Sequence, residues 1–112
     1  MQEGRSPVIF GDGSQTRDFT YVKDIVRALQ LAMDSNYHGV LNAGTGKAYS
    51  FNEVIRMLNQ KLESAIKPKY TENPIKNYVR HTLADTSKCR EILKFEAQFT
   101  LEEGISKLVD YY

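Results

Sequence analysis

One cysteine, Cys89, and two histidines, His38 and His81, are the only thiol and imidazole groups in these 112 residues. A single cysteine excludes an intrachain disulfide and a cysteine-rich zinc site. The histidines stand far apart with no second ligand at metal spacing, so no metal site is expected. Cys89 lies in "DTSKCREIL", which reads as a helix, and is expected as a packed thiol rather than a nucleophile. No apolar run approaches the roughly 20 residues that span a bilayer, and no signal-peptide pattern opens the chain. Charge of one sign is also lacking. The formal net charge is +1, with both signs interspersed. That gives no electrostatic footprint for nucleic acid or an anionic membrane. The expectation is a cytoplasmic protein with neither partner.

What is present is ordinary for a globular chain: 41% hydrophobic and 26% charged residues. The length allows one domain, residues 1–112, burying roughly two thirds of its unfolded surface. "SPVIF" (6–10) reads as a strand and "GDGS" as the turn after it. "RDFTY" reads as a second short extended piece. The next helix carries Val22, Ile25, Leu29, Ala32 and Met33 on its expected inward face, with Asp24 near its start. "HGVLNAGTG" (38–46) reads as an apolar strand between glycines. Ser50 and Glu53 form a capping box that opens a helix over about 51–63, with Val54, Ile55, Leu58 and Leu62 inward. "IKPKY" (66–70) reads as an edge strand. Residues 71–83 read as a loop with a short extended piece at Tyr78-Val79. Asp85 or Thr86 caps a short helix through Leu93. "KFEAQF" reads as a connector. Thr100 and Glu103 form a second capping box, and the last helix turns Leu101, Ile105, Leu108, Val109 and Tyr112 inward. The fold class is α/β, an α+β-like piece with about four helices and three short strands. It has no β-α-β series long enough for a nucleotide-binding sheet.

Complete catalytic motifs are missing. "NAGTGKAYS" fails the phosphate-loop pattern, because Leu41 stands where the first glycine belongs and Ala48 follows Lys47. Gly44 and Gly46 read as turn glycines. Tyr21 and Lys23 lack the Tyr-x-x-x-Lys spacing, so Tyr21 and Asp24 read as structural. No Ser-His-Asp set exists. Arg17 differs. It follows a glycine-rich turn and Gln15, where a guanidinium can clamp phosphate with paired N–H donors. A surface pair of Arg17 with Asp18 or Asp24 is the plain alternative.

The run "SPVIFGDGSQTRDFTYVKDI", followed by "GVLNAGTGKAYSFNEV", "LADTSKCREIL" and "TLEEGISKLVDYY", resembles the C-terminal part of the extended short-chain dehydrogenase/reductase family. Within it, the nucleotide-sugar epimerases of the UDP-glucose 4-epimerase type are most similar, and ADP-glyceromanno-heptose 6-epimerases are similar too. The resemblance covers essentially the whole chain. It implies a substrate-binding domain for a nucleotide-diphosphate sugar. Backbone groups of Val8 and Phe10 would meet the base, with Phe10 as an aromatic wall. Arg17 would hold the diphosphate, and Gln15 would touch phosphate or sugar. Phe19, Tyr21 and Val22 would anchor the segment in the core.

Two departures qualify what the resemblance implies. Many UDP-sugar members carry R-x-G-D before the "AD-x-S-K" helix. Here that slot reads "IKNY" (75–78), with Ile75 for the Arg and Tyr78 for the Asp, which makes Tyr78 an expected substrate-binding residue, and with Lys76 or Arg80 as substitutes for the charge. This loop is closer to the heptose-epimerase type, and sugar and base stay open. The family's glycine-rich NAD loop and Tyr-x-x-x-Lys pair also do not occur in this sequence. The expectation is a chain with no catalytic residue and no cofactor of its own, NAD belonging to the full-length family. Met1 then falls at a mid-family position, as in a truncated piece, a proteolytic remnant or a short gene product. The expected partners are the Rossmann half or a second copy. The competing reading is a stand-alone α/β module that self-associates and binds no ligand.

Overall fold

A computed structural model describes all 112 residues. The first strand forms where β-branched residues follow Pro7: β1 (Val8–Phe10) runs parallel to β4 (Lys69–Thr71), with Ile9 opposite Tyr70. Pro68 precedes β4, so its missing N–H removes no ladder bond. A second pair, β2 (Thr16–Arg17) and β3 (Tyr49–Ser50), is antiparallel. Thr16 also bridges to His81 on its other side, donating N–H to the Arg80 carbonyl (2.9 Å) and accepting from Thr82 N–H (3.2 Å). The chain thus has four very short strands. The strand at 8–10 falls inside the expected run 6–10, and that at 69–71 overlaps the expected run 66–70 but extends to Thr71.

Four helices complete the order: α1 (Val22–Met33), α2 (Phe51–Lys61), α3 (Ser87–Leu93) and α4 (Leu101–Tyr111). Both expected capping boxes are made. The Ser50 hydroxyl accepts from Glu53 N–H while Glu53 Oε2 accepts from Ser50 N–H (2.7 Å). Thr100 and Glu103 repeat the arrangement at α4. α3 is capped less directly: Asp85 Oδ1 accepts from Ser87 N–H (3.0 Å).

The expected strand over 38–46 does not form. The segment pairs with no strand and leaves Val40 83% exposed. Its glycine-rich end is drawn into a turn instead, where the Asp18 carboxylate accepts from Thr45 N–H (3.0 Å) and Gly46 N–H (2.8 Å). The piece expected at Tyr78-Val79 is not a strand either; the bridge falls at His81.

The inward face of α1 also differs from the expected one. Val22, Leu29 and Met33 are exposed, and Asp24 and Ala28 are buried. The buried Asp24 carboxylate explains the choice. It accepts from Gln98 N–H (2.9 Å) and Phe99 N–H (3.0 Å), which pins the connector 94–99 to that side of the helix. Ala28 then packs with Cys89, Leu93 and Phe95 in one small core. Burial pushes the Cys89 thiol pKa up, which leaves it a packed apolar group. On α2 the buried residue is Met57, and on α4 it is Ile105, while Leu108 and Tyr112 face outward. The Tyr21 ring packs against Phe99 in a tilted arrangement, centroids 4.8 Å apart, tying the start of α1 to the start of α4.

The result is a slab of 47 × 35 × 17 Å. Its accessible surface is 7996 Å², against about 6,300 Å² for a folded monomer of this mass.

Acid should loosen the caps. The Ser50 and Thr100 backbone N–H groups, and then their hydroxyls, hold Glu53 and Glu103 below the ordinary carboxylate value of 4.5. Depressed folded values mean this stabilisation is present above that value and is lost as pH falls through the folded ones. Urea melts between pH 6 and 3 should show a midpoint falling with acid. Replacing both glutamates by glutamine, which keeps the capping acceptor, should flatten that fall. An unchanged pH profile in the double variant would remove the capping boxes as its source.

Candidate functional site

The segment 11–18 lies between two layers and is fixed by both. Gly11 N–H closes the β1–β4 ladder on the Thr71 carbonyl (2.8 Å). Gly13 adopts φ +77°, and a Cβ there would stand 2.1 Å from Asn52 Oδ1. That vacant space lets Asn52 reach across: its Nδ2 donates to the Asp12 carbonyl (3.0 Å) and its Oδ1 accepts from Tyr70 OH (2.8 Å). Asp12 accepts from the Ser14 hydroxyl and Ser14 N–H, and the hydroxyl most of all keeps its pKa low. Arg80 Nη2 joins the same turn, at 2.8 Å from Ser14 Oγ and 3.3 Å from Asp12 Oδ1.

The β1 edge presents Val8 and Phe10. The Pro7 carbonyl accepts from Lys69 N–H, and Gly11 N–H donates to Thr71. In a parallel ladder alternate residues face the partner strand, so Ile9 is bonded to β4 while Val8 and Phe10 direct their backbone groups away from it. Both side chains are exposed, Val8 at 59% and Phe10 at 43%.

Gln15 is turned inward. It is 2% exposed, and its Nε2 donates to the Phe10 carbonyl at 2.7 Å. Its own carbonyl accepts from Phe51 N–H (3.2 Å). Direct contact with phosphate or sugar is therefore not what this geometry offers. Gln15 instead fixes the Phe10 carbonyl, because a buried amide takes the nearest acceptor.

Arg17 is half-buried on β2. Its Nη1 donates to the carbonyls of Thr16 (2.7 Å) and Arg80 (3.0 Å), and Nη2 donates to the Val79 carbonyl (2.8 Å). The Tyr78 ring lies 5.2 Å from its carbon Cζ and the Phe51 ring 5.8 Å. It forms no ion pair with Asp18 or Asp24. Asp18 serves the turn at 45–46, and Asp24 pairs with Arg27 at 3.8 Å. A guanidinium has five N–H donors and three are used here, leaving Nε–H and one Nη2–H. Tyr78 is half-buried against this group; Ile75, Lys76 and Arg80 are exposed.

Sequence reasoning did not single out Phe51 or the carbonyls of residues 79 and 80 as Arg17's neighbours. The capping box put Phe51 first in its helix, and that was the only signal available. Nothing in a sequence marks a loop carbonyl.

The turn that resembles a phosphate loop already holds an anion. Its Thr45 and Gly46 N–H groups point at the Asp18 carboxylate, and a Cβ on Gly44 would stand 2.7 Å from Asp18 Oδ2. A dinucleotide phosphate does not fit there. No group of three or more His, Cys, Asp or Glu side chains converges on a metal position. No helix is long and apolar enough to cross a membrane.

Comparison with known proteins defines the class. The model of the family described as GDP-mannose 4,6 dehydratase matches residues 1–108. A UDP-glucuronate 4-epimerase of Thermodesulfobacterium geofontis is 36% identical, the match covering 92% of this chain and 32% of that protein. The UDP-glucose 4-epimerase of Thermotoga maritima, solved with UDP-glucose, superposes with a TM-score of 0.92 at 38% identity, covering 99% of this chain and 36% of that one. The UDP-glucuronic acid 4-epimerase of Bacillus cereus, solved with UDP-glucuronic acid and NAD, gives 0.90 at 29% identity, covering 97% and 35%. An ADP-L-glycero-D-manno-heptose-6-epimerase of Helicobacter pylori gives 0.85 at 30% identity, covering 95% and 32%. The chain belongs to this family of nucleotide-sugar epimerases and dehydratases. It spans about a third of the length of the curated relatives it matches.

Gly13→Ala should be poorly tolerated. The new Cβ meets Asn52 and the backbone has positive φ, so a loss of about 1–3 kcal/mol is expected from urea unfolding. Stability equal to the parent chain would show that Asn52 moves aside without loss.

Proposed function

We propose that residues 1–112 form the C-terminal substrate-binding half of an NAD-dependent nucleotide-sugar epimerase and carry no catalytic residue. The carrying observation is Arg17: a guanidinium oriented by three carbonyls, with Nε–H and one Nη2–H left over. Two such donors match two oxygens of a diphosphate, and a half-dry position strengthens the contact over one in open water. On the same segment, the outward backbone of Val8 and Phe10 supplies hydrogen bonds for a base edge, and the exposed Phe10 ring supplies a wall. Gln15 keeps the Phe10 carbonyl in place. Tyr78 borders Arg17. The ligand class is a nucleotide-diphosphate sugar; relatives solved with UDP-glucose and UDP-glucuronic acid support it. Cofactor chemistry belongs to the other two thirds of such a protein, since the turn at 44–46 is filled by Asp18.

Calorimetric titration of UDP and of ADP tests this reading. One of the two should bind, Arg17→Ala should weaken it about tenfold to a hundredfold, and Arg17→Lys should recover only part because it lacks the fork. Binding unaffected by Arg17→Ala would refute the site. Turnover of a UDP- or ADP-sugar by these residues with added NAD would refute the assignment to a substrate half.

The partner is proposed from α1. Val22, Val26, Leu29 and Met33 form an exposed stripe opposite the buried Asp24 and Ala28. A helix apolar on two sides is suited to burial between two layers. The Rossmann half is the proposed cover, and without it copies of the chain should cover one another. Sedimentation should show mass rising with concentration, and the pair Leu29→Glu and Met33→Glu should restore a monomer. A clean monomer for the parent chain at high concentration would count against the stripe as an interface.

A further inference from the structure

We infer that residues 78–80 form a strap whose task is to orient Arg17, and that Tyr78 is its positioning residue rather than a ligand contact. This deepens the reading of Arg17 as the diphosphate ligand and rests on it. An arginine side chain has many rotamers, and freezing them on binding weakens affinity. Here they are frozen beforehand. The carbonyls of Val79 and Arg80 take one N–H from each terminal nitrogen, the Thr16 carbonyl takes another, and the rings of Tyr78 and Phe51 lie 5.2 Å and 5.8 Å from the guanidinium carbon. What remains free is the pair of donors suited to an anion.

The strap is itself held firmly. The Arg80 carbonyl accepts twice, from Thr16 N–H and from Arg17 Nη1, which uses both of its lone pairs. Thr82 N–H donates to the Thr16 carbonyl, and Thr16 Oγ1 lies 3.0 Å from His81 Nδ1. Arg80 Nη2 reaches back to Ser14. Just before the strap, by contrast, residues 74–77 are exposed, and Asn77 has φ +56°. Burial in this loop therefore begins at Tyr78, where the ring meets the guanidinium. A face of an aromatic ring attracts a cation, and it does so without using any of the N–H donors a phosphate needs.

The experiment compares UDP with uridine, or ADP with adenosine, whichever diphosphate binds, on the whole 112-residue chain. Tyr78→Leu keeps bulk and loses the aromatic face. It should weaken the diphosphate about threefold to tenfold and leave the nucleoside unchanged, because only the diphosphate uses Arg17. Tyr78→Phe should bind as the parent chain does. Equal losses for diphosphate and nucleoside would show a general structural role and overturn the inference. So would parent-like diphosphate binding by Tyr78→Leu while Arg17→Ala still loses it; that result leaves Arg17 as the ligand and removes the strap. If the parent chain binds neither diphosphate, or Arg17→Ala binds as tightly, the reading of Arg17 falls and the inference falls with it.

Discussion

Polar side chains that hydrogen-bond to backbone hold this chain in shape, because apolar burial alone is meagre. Only Ile9, Ala28, Met57, Cys89, Leu93, Phe95 and Ile105 make up the buried apolar set. Every buried N–H and C=O still needs a partner. Asp18 satisfies the turn at 45–46, Asp24 the connector at 98–99, and Gln15 the end of β1. Asn59 does the same between α2 and β4, donating to the Ile66 carbonyl (2.9 Å) and accepting from its N–H (3.1 Å). Three of the four lie in one run of ten residues, 15–24. That run is where the sequence showed its most specific pattern. The pattern therefore records packing, and Arg17 is the half-buried cation in it, with two N–H donors not used by the fold.

The same division decides what could be read without a structure. Capping boxes were legible because donor and acceptor stand three residues apart and need no distant partner. Helix existence was legible for the same reason, since the 3.6-residue period is local. The strand expected at 38–46 failed because a strand is defined by its neighbour, and the segment 84–86 beside it forms no backbone ladder with it. The face of α1 failed differently. Two apolar stripes run along it, one through Ala28 and one through Val22, Val26, Leu29 and Met33. Periodicity cannot rank them. A carboxylate at Asp24 ranked them by taking two backbone N–H groups from a segment 74 residues away.

Arg17 stood out in the sequence by its place after a glycine turn, whereas the burial of Gln15 and the Tyr78 ring beside that guanidinium did not. A glutamine two residues before an arginine looks equally suited to ligand and to backbone. Burial separates the two, and burial is a property of the whole fold. Tyr78 stood in a slot where related sequences place an acid, which suggested a ligand contact by position alone. Its ring beside a guanidinium points elsewhere.

On the proposed reading of Arg17, the difference between a ligand group and the group that aims it also bears on how the "IKNY" loop would do without an arginine and an aspartate. A second cation near a diphosphate adds Coulomb attraction but must itself be ordered, and an exposed one is screened by salt within about 10 Å. Orienting the first cation yields affinity by another route: it lowers the entropy lost on binding and keeps the donor pair aligned. The aromatic ring at Tyr78 and the two loop carbonyls perform that orientation with neutral groups. In the proposed site these neutral groups add no charge beside the Arg17 guanidinium, so they would hold it without competing for an anion.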